Sequence, residues 1–367
     1  MKNTFGNNVS ITLFGESHGE AIGAVLDGLA PGIKVDEQFI ADQLSLRRPF
    51  GSISTARVER DEFRIISGVF NGYTTGTPIA IIIPNENTKS KDYSKTEDLA
   101  RPGHADYTAE CKYHGYQDRR GGGHFSGRVT AALVAAGAIV ISALREKGIY
   151  IGTHIKSLAG VTDRDFDEND LLGDVNKLNS LEFATLSDDA AESMKAEIVK
   201  AKKDLDSVGG VLETVALGLD AGLGEPWFDS IESLISHAMF SIPAIKGVEF
   251  GDGFAMAKMR GSEANDPFRM KDGRVVTETN HNGGINGGIT NGMPIIFRCA
   301  VKPTASIFRT QDTVNVKTNE NATISLEGRH DPAIVHRARV VVDSMTALVL
   351  ADLLSGRYGT DWLVDGR

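Results

Sequence analysis

Three consecutive glycines at 121–123 precede a long apolar segment, and together they constrain both the backbone and its chemistry. The Ala-, Val- and Ile-rich residues 129–147 predict a helix that ends before Gly148. A glycine loop that opens a helix presents backbone N–H groups and the positive end of the helix dipole. Three arginines lie beside it: Arg119, Arg120 and Arg128. Because the net charge of the chain is −10, this local positive charge favours a small phosphorylated ligand over nucleic acid.

The composition is that of an ordinary globular enzyme, with 367 residues of which 41% are hydrophobic and 24% charged. Cys111 and Cys299 are far apart and form no CxxC pair, which argues against a disulfide scaffold or a structural zinc site. No apolar stretch is expected to reach the ~20 residues of a membrane span, and the N-terminus lacks a signal-peptide core. We therefore expect a cytoplasmic protein without membrane segments.

Hydrophobic periodicity predicts both strands and helices. The predicted strands are residues 8–14, 21–26, 63–70, 78–84, 210–219, 248–259 and 293–301. Besides 129–147, the predicted helices are 37–46, 187–205 with Ser187 as N-cap, 231–239, and a last helix that starts with Asp331 as N-cap and ends before Gly356. Residues 85–125 are expected to be irregular and functional, and the acidic residues 160–186 to be peripheral.

Two histidines lie in glycine-containing turns. His18 stands in GESHG at 15–19, just after the first predicted strand, and His104 stands in RPGHADY at 101–107. Each is a candidate acid–base group held where the backbone allows a ligand to approach. The alternative for each is a solvated surface turn, and the patterns alone leave both interpretations open.

Three further segments suit an anionic ligand. Residues 280–288 are glycine-rich but do not match the dinucleotide-binding pattern, and KPTAS at 302–306 offers a cation and hydroxyls. RHDP at 329–332 joins an arginine to the predicted helix start. Ordinary turns and a helix cap would explain the same residues. The P-loop and HExxH motifs are missing from the sequence, and the histidines lack metal-ligand spacing, so we expect no metal.

The segments described above, taken in their order along the chain, resemble the chorismate synthase family. The resemblance covers nearly the whole chain and is weakest between residues 160 and 210. The resemblance rests on GESHG at 15–19, GHFSGRVT at 123–130 and GRHDP at 328–332. RPGHADYT at 101–108 and GVEFGDGF at 247–254 support it.

The resemblance implies an activity and a fold. The family converts 5-enolpyruvylshikimate 3-phosphate to chorismate and phosphate by an anti-1,4-elimination, at the last common step of aromatic amino-acid synthesis. It requires reduced FMN without net redox change. The implied fold is a single α+β domain over 1–367, a β-α-β sandwich of two antiparallel sheets packed together with helices outside. The implied assembly is a homotetramer. No reductase segment is evident, so a separate flavin reductase would supply FMNH2, with NADPH involved only indirectly.

The resemblance also assigns residues. His18 and His104 match the histidines that protonate the reduced flavin and the departing phosphate, and Asp331 matches the aspartate that helps flavin N5 accept the carbon-6 proton. The implied FMN contacts are His124, Phe125, Ser126, Pro243, Ala244, Gly287, Lys302, Pro303, Thr304, Ala305, Ser306 and Arg329. The implied basic lining for the substrate is Arg47, Arg48, Arg101 and Arg128, and a polyanionic substrate does need several guanidinium groups.

The sequence departs from the family pattern at three positions. Many relatives have arginine in place of His124 and serine in place of Phe125. Ile53 stands where a second basic residue often follows Arg47-Arg48, a position sometimes assigned to NADP. These departures bear on the flavin contacts and on direct NADP binding.

Two other functions would also fit these segments, and each predicts a different experimental result. One is a non-catalytic protein that binds phosphorylated metabolites or RNA, although the acidic net charge argues against RNA. The other is a flavin oxidoreductase, which would oxidise a substrate or consume NADPH steadily.

Overall fold

Two antiparallel sheets enclose a pair of buried helices, so that the layers run sheet, helix, helix, sheet. The computed structural model describes residues 2–55, 60–86, 98–326, 328 and 330–364. Of the two central helices, Thr130–Glu146 packs on the first sheet and Val335–Tyr358 on the second, and they pack on each other.

The first sheet comes from the N-terminal quarter of the chain. The strands of this region are β1 (Thr4–Phe5), β2 (Ser10–Gly15), β3 (Ala21–Asp27), β4 (Arg64–Ser67), β5 (Val69–Phe70), β6 (Tyr73–Thr74) and β7 (Ile79–Pro84). The sheet order is β1-β2-β3-β7-β4, with every neighbour antiparallel, and β5 and β6 form a separate hairpin. Alternate isoleucines of β7 are buried, as expected of a strand with one face on the core.

The second sheet comes from the rest of the chain. The strands are β8 (Tyr150–Leu158), β9 (Val161–Thr162), β10 (Gly210–Leu217), β11 (Ile245–Phe250), β12 (Phe268–Lys271), β13 (Arg274–Thr277), β14 (Ile285–Asn286), β15 (Ile289–Thr290), β16 (Ile295–Val301), β17 (Gln311–Asn315) and β18 (Glu320–Ile324). The sheet order is β11-β16-β10-β8-β9, again antiparallel. The remaining strands form three hairpins: β12 with β13, β14 with β15, and β17 with β18.

The helices connect and cover these sheets. They are α1 (Glu37–Leu46), α2 (Asp106–Tyr113), α3 (Thr130–Glu146), α4 (Leu171–Asn179), α5 (Asp188–Lys203), α6 (Ile231–Ser241), α7 (Gly261–Ala264) and α8 (Val335–Tyr358). Short 3-10 segments are Arg120–Phe125, Gly127–Val129, Gly253–Lys258 and Thr360–Leu363. The predicted bounds of α1 are confirmed, with Asp36 capping the N–H of Phe39, and so is the Ser187 cap of α5.

The sequence of α3 explains its central position. Its residues are apolar on nearly every side, which is typical of a helix buried all round. Gly137 allows α8 to come close, since a Cβ there would lie 2.4 Å from Cβ of Ser344. The α+β class and the β-α-β sandwich are confirmed, but these two longest helices lie between the sheets rather than outside them.

The same helix corrects a second expectation. Residues Gly127–Glu146 form a helix that is long and apolar enough to cross a membrane, so the expectation that no stretch approaches that length was wrong. However, 89% of its most apolar window is buried inside the protein, as in the core helix of a globular fold.

Three local predictions were also wrong. The irregular segment 85–125 contains α2, while residues 87–97 lie outside the described part of the chain. The strand predicted at 248–259 is β11 followed by a 3-10 segment, because Gly251 and Gly253 adopt positive φ values of 53° and 50°. The last helix starts four residues after Asp331 and runs past Gly356, so Asp331 is not its N-cap.

We expect the buried histidine of α8 to make the fold sensitive to acid. His336 is fully buried between the rings of Phe50 and Phe183, and burial lowers its pKa to about 3. The unfolded histidine takes up a proton near pH 6.5, so the free energy of unfolding should fall as pH drops below that value. The expected loss is about 2 kcal/mol between pH 6.5 and 5. Urea denaturation at both pH values should show a smaller loss for His336→Gln, and equal losses in the two proteins would contradict the prediction.

Candidate functional site

A cavity of about 1030 Å³ lies where the N-terminal ends of the two central helices meet the 101–106 turn and the segments 240–246 and 302–306. Basic side chains dominate its charged lining. The basic residues are Arg47, Arg101, Arg119, Arg120, Arg128, Lys246, Lys302 and Arg337, and the acidic ones are Asp106, Glu110, Asp118 and Asp331. The cavity therefore collects arginines from distant parts of an acidic chain.

The triple glycine forms one wall of this cavity. Gly121, Gly122 and Gly123 have φ values of 60°, 94° and 54°, which favour glycine over other residues. A Cβ on Gly121 would lie 2.0 Å from Cε1 of His18, so the histidine packs directly behind the loop. His18 is largely buried, with Nδ1 3.2 Å from Oγ of Ser17, and it does not itself line the cavity.

His104 is held in the cavity by the turn that the sequence singled out. Its Nε2 lies 2.7 Å from Oγ of Ser306. Asp106 fixes the turn by accepting hydrogen bonds from the backbone N–H, Nε and Nη2 of Arg101, at 2.9, 2.7 and 2.8 Å. Burial and the Arg101 guanidinium lower the pKa of His104 to about 4. The imidazole is therefore neutral near pH 7.

The residues after the glycine loop also face the cavity. Nδ1 of His124 donates to the carbonyl of Gly15 at 2.8 Å, so a neutral His124 carries its proton on Nδ1 and keeps Nε2 as an acceptor. Phe125 is 43% exposed and makes an edge contact with Tyr113, with ring centroids 6.0 Å apart. Ser126 Oγ accepts from the backbone N–H of the second residue after it. An aromatic ring and an imidazole therefore both line the cavity after the glycine loop.

Arg47 and Arg128 converge on a carboxylate that the sequence analysis did not identify. Asp61 accepts from Nη2 of Arg47 at 3.3 Å through one oxygen and from Nη1 of Arg128 through the other. Its side chain is fully buried, and those of the arginines are 6% exposed. Burial raises the pKa of Asp61, but the two guanidinium groups more than offset this and hold it below its usual value. The carboxylate is therefore ionised at neutral pH.

Asp331 also lines the cavity and uses both carboxylate oxygens. Oδ1 accepts the backbone N–H of Thr55 at 2.9 Å, and Oδ2 pairs with Nη1 of Arg337. Nε of Arg337 in turn donates to the carbonyl of Arg47 at 2.7 Å. These contacts fix the position of the carboxylate, which is not a helix cap.

The other sequence-predicted residues divide into two groups. The cavity lining includes Pro243, Ala244, Lys302, Pro303, Thr304, Ala305 and Ser306. Arg48 instead donates to the carbonyl of Arg60, and Gly287 lies in the turn between β14 and β15, away from the cavity lining. Arg329 is outside the described residues. Ile53 packs in the hydrophobic core, which explains why an apolar side chain stands there.

Asp61 and Arg337 are the clearest residues that sequence reasoning missed. Asp61 belongs to the charged run Arg60-Asp61-Glu62, which is typical of an exposed turn. Arg337 lies in the first turn of α8, and the apolar pattern of this helix predicts core residues rather than a site residue. For Arg337 the sequence does carry a signal, which is a charged residue on an otherwise apolar helix. Such residues are rarely buried without a partner, so the position indicates an ion pair.

Within residues 2–55, 60–86, 98–326, 328 and 330–364, no group of three or more His, Cys, Asp or Glu side chains is arranged to hold a metal ion. The four carboxylates that line the cavity each pair with an arginine instead: Asp106 with Arg101, Glu110 with Arg119, Asp118 with Arg120 and Asp331 with Arg337.

The α+β fold and its arginine-lined cavity define a protein suited to a small polyanionic ligand. The family model for chorismate synthase matches residues 9–355. Chorismate synthase of Pyrococcus abyssi is 47% identical over 349 residues, covering 95% of this chain and 96% of that protein. Chorismate synthase of Lachnospira eligens is 47% identical over 351 residues, covering 95% and 94%. A solved structure described as the crystal structure of chorismate synthase matches with a TM-score of 0.77 at 32% identity, covering 97% of this chain and 94% of that one. The chain belongs to the chorismate synthase family.

Proposed function

We propose that the chain is a carbon–oxygen lyase that converts 5-enolpyruvylshikimate 3-phosphate to chorismate and phosphate in the presence of reduced FMN. The observation that carries this proposal is the meeting of His104, Asp331 and several arginines in one cavity, although they come from distant parts of the chain. These groups supply a proton donor, a proton acceptor and anion-binding side chains, which an elimination of phosphate needs.

The residues present fit a flavin mononucleotide beside the substrate. The cavity volume lies at the upper end of the range for small-molecule sites, which leaves room for more than one ligand. The hydroxyl of Thr304 is buried and has no hydrogen-bond partner among the described residues, so it is available to a polar ligand. With Lys302 and Ser306 in the same wall, it would hold the flavin, and Phe125 offers an aromatic face.

The reduced flavin, when bound, supplies electron density that stabilises developing positive character at carbon 3 of the substrate. The protein supplies the proton chemistry and the orientation. An approaching substrate phosphate raises the pKa of His104 above its ligand-free value of about 4, because negative charge favours the imidazolium. The protonated imidazole can then donate to the departing phosphate. Asp331, held by the backbone N–H of Thr55 and by Arg337, would assist the removal of the carbon-6 proton on its side of the cavity.

We propose that a separate flavin reductase supplies reduced FMN, with NADPH acting only through it, and that the enzyme works in the cytoplasm as a homotetramer. Large aromatic side chains at the surface support self-association: Trp227, Phe228 and Phe254 are 82%, 89% and 83% exposed.

Phosphate release tests this function directly. Under anaerobic conditions, the pure protein with dithionite-reduced FMN and 5-enolpyruvylshikimate 3-phosphate should release phosphate. Oxidised FMN or NADPH alone should give essentially no release. Robust turnover with NADPH and oxidised FMN would contradict the need for a reductase partner. Net oxidation of a substrate would identify an oxidoreductase, and substrate binding without phosphate release would identify a non-catalytic binder.

A further inference from the structure

Asp61 connects two walls of the cavity from beneath its surface. Arg47 follows the last residue of α1, and Arg128 lies in the 3-10 segment before α3. The Asp61 carboxylate bridges the two guanidinium groups and has no solvent exposure. Its backbone adopts a φ of 53°, which aspartate and asparagine tolerate better than most residues.

The bridge fixes the direction of both arginines. Arg128 is further held through Nε by Oδ1 of Asn85 at 3.0 Å and through Nη2 by the carbonyl of Pro84 at 3.1 Å. Nη1 of Arg47 donates to the carbonyl of Gly127 at 3.4 Å. Groups that are held before the ligand arrives lose little entropy when it binds.

The bridge also offsets positive charge. A carboxylate beside two guanidinium groups cancels one of their two charges, so an anion in the cavity is attracted less strongly than by the arginines alone. An enzyme that forms inorganic phosphate in such a cavity must also let it go. Tight binding of the substrate anion requires a high affinity of these arginines for phosphate groups. Release of the inorganic phosphate requires a lower affinity of the same arginines.

We propose that Asp61 is a positioning residue that orients Arg47 and Arg128 and limits their affinity for the phosphate that the reaction releases. This inference rests on the proposed function of the site. A purely structural role predicts something different, since removing one partner of a buried ion pair lowers stability without tightening the binding of an anion.

Calorimetric titration of inorganic phosphate into the flavin-free protein tests the charge effect. Asp61→Asn keeps the shape and the tolerance for positive φ but removes the charge. We expect it to bind phosphate about tenfold more tightly than wild type, as for a charge removed within about 10 Å at an intermediate dielectric. The matched control is Asp165→Asn, which removes a charge from a side chain that is 90% exposed and does not line the cavity. It should bind phosphate as wild type does. Equal or weaker binding by Asp61→Asn, or no phosphate binding by any of these proteins, would overturn the inference.

Steady-state kinetics of Asp61→Glu test the positioning effect. This variant keeps the charge but moves the carboxylate by one methylene, so phosphate affinity should stay within about threefold of wild type while kcat falls about tenfold. Wild-type kcat in Asp61→Glu would overturn the inference even if Asp61→Asn did not fold. Failure of the proposed function would appear separately, as absence of phosphate release by the wild-type enzyme with reduced FMN.

Discussion

Asparagine in place of Asp331 is expected to lower kcat by about 10²–10³, the scale of one acid–base group. The amide oxygen can still accept the N–H of Thr55, but the amide has no carboxylate to take a proton or to pair with Arg337. Because Asp331 is not the N-cap of α8, the substitution leaves the helix start intact. We expect FMN to remain bound and the melting temperature to fall by only a few degrees.

Arg337→Gln is the matched control for this change. It breaks the same ion pair, whose side chains are 17% and 11% exposed, but keeps the Asp331 carboxylate. If the ion pair alone mattered, both variants would lose the same stability and the same activity. Stopped-flow and thermal melting measurements on the two proteins separate these cases. Full activity in Asp331→Asn would remove the residue from the proton transfer.

Alanine in place of His104 is expected to lower kcat by about 10–10³ with the fold intact, because the departing phosphate would lose its proton donor. His18→Ala should fall within the same range, since His18 supports the glycine loop from behind. The exposed His237, which lies outside the cavity, offers a matched control, and His237→Ala should turn over as wild type does.

Titration of the His104 ring by NMR adds a readout other than activity. In the ligand-free protein its signal should titrate near pH 4, because burial and Arg101 favour the neutral ring. Wild-type turnover in His104→Ala would exclude this histidine from the mechanism. An unshifted titration would instead place the ring in solvent.

Local signals in the sequence were sufficient for many elements. The bounds of α1 were predictable because Asp36 caps its start and Arg47-Arg48-Pro49 stops it. The strands β2 and β3 and the end of α3 before Gly148 were predictable from equally local patterns. The strand prediction for residues 248–259 was wrong because the apolar pattern continues through the segment, while Gly251 and Gly253 turn the backbone out of the strand.

The layer order and the charge partners depended on contacts far apart in sequence. Nothing near residue 331 indicates that its carboxylate meets Thr55, 276 positions away. Likewise, the bridge from Asp61 to Arg128 spans 67 positions. Sequence motifs located the arginines and histidines, but only the fold shows which carboxylates hold them. The catalytic, flavin-binding and substrate-binding roles that the resemblance assigned to individual residues all remain predictions.

The position of α3 and α8 between the sheets has an evolutionary consequence. Leu133, Val341 and Met345 belong to the hydrophobic core and also line the cavity, so one set of side chains serves both. A substitution there that changes packing also changes the space offered to ligands. Stabilising substitutions that leave the ligand space unchanged are therefore expected in the outer helices and surface hairpins rather than in this central layer.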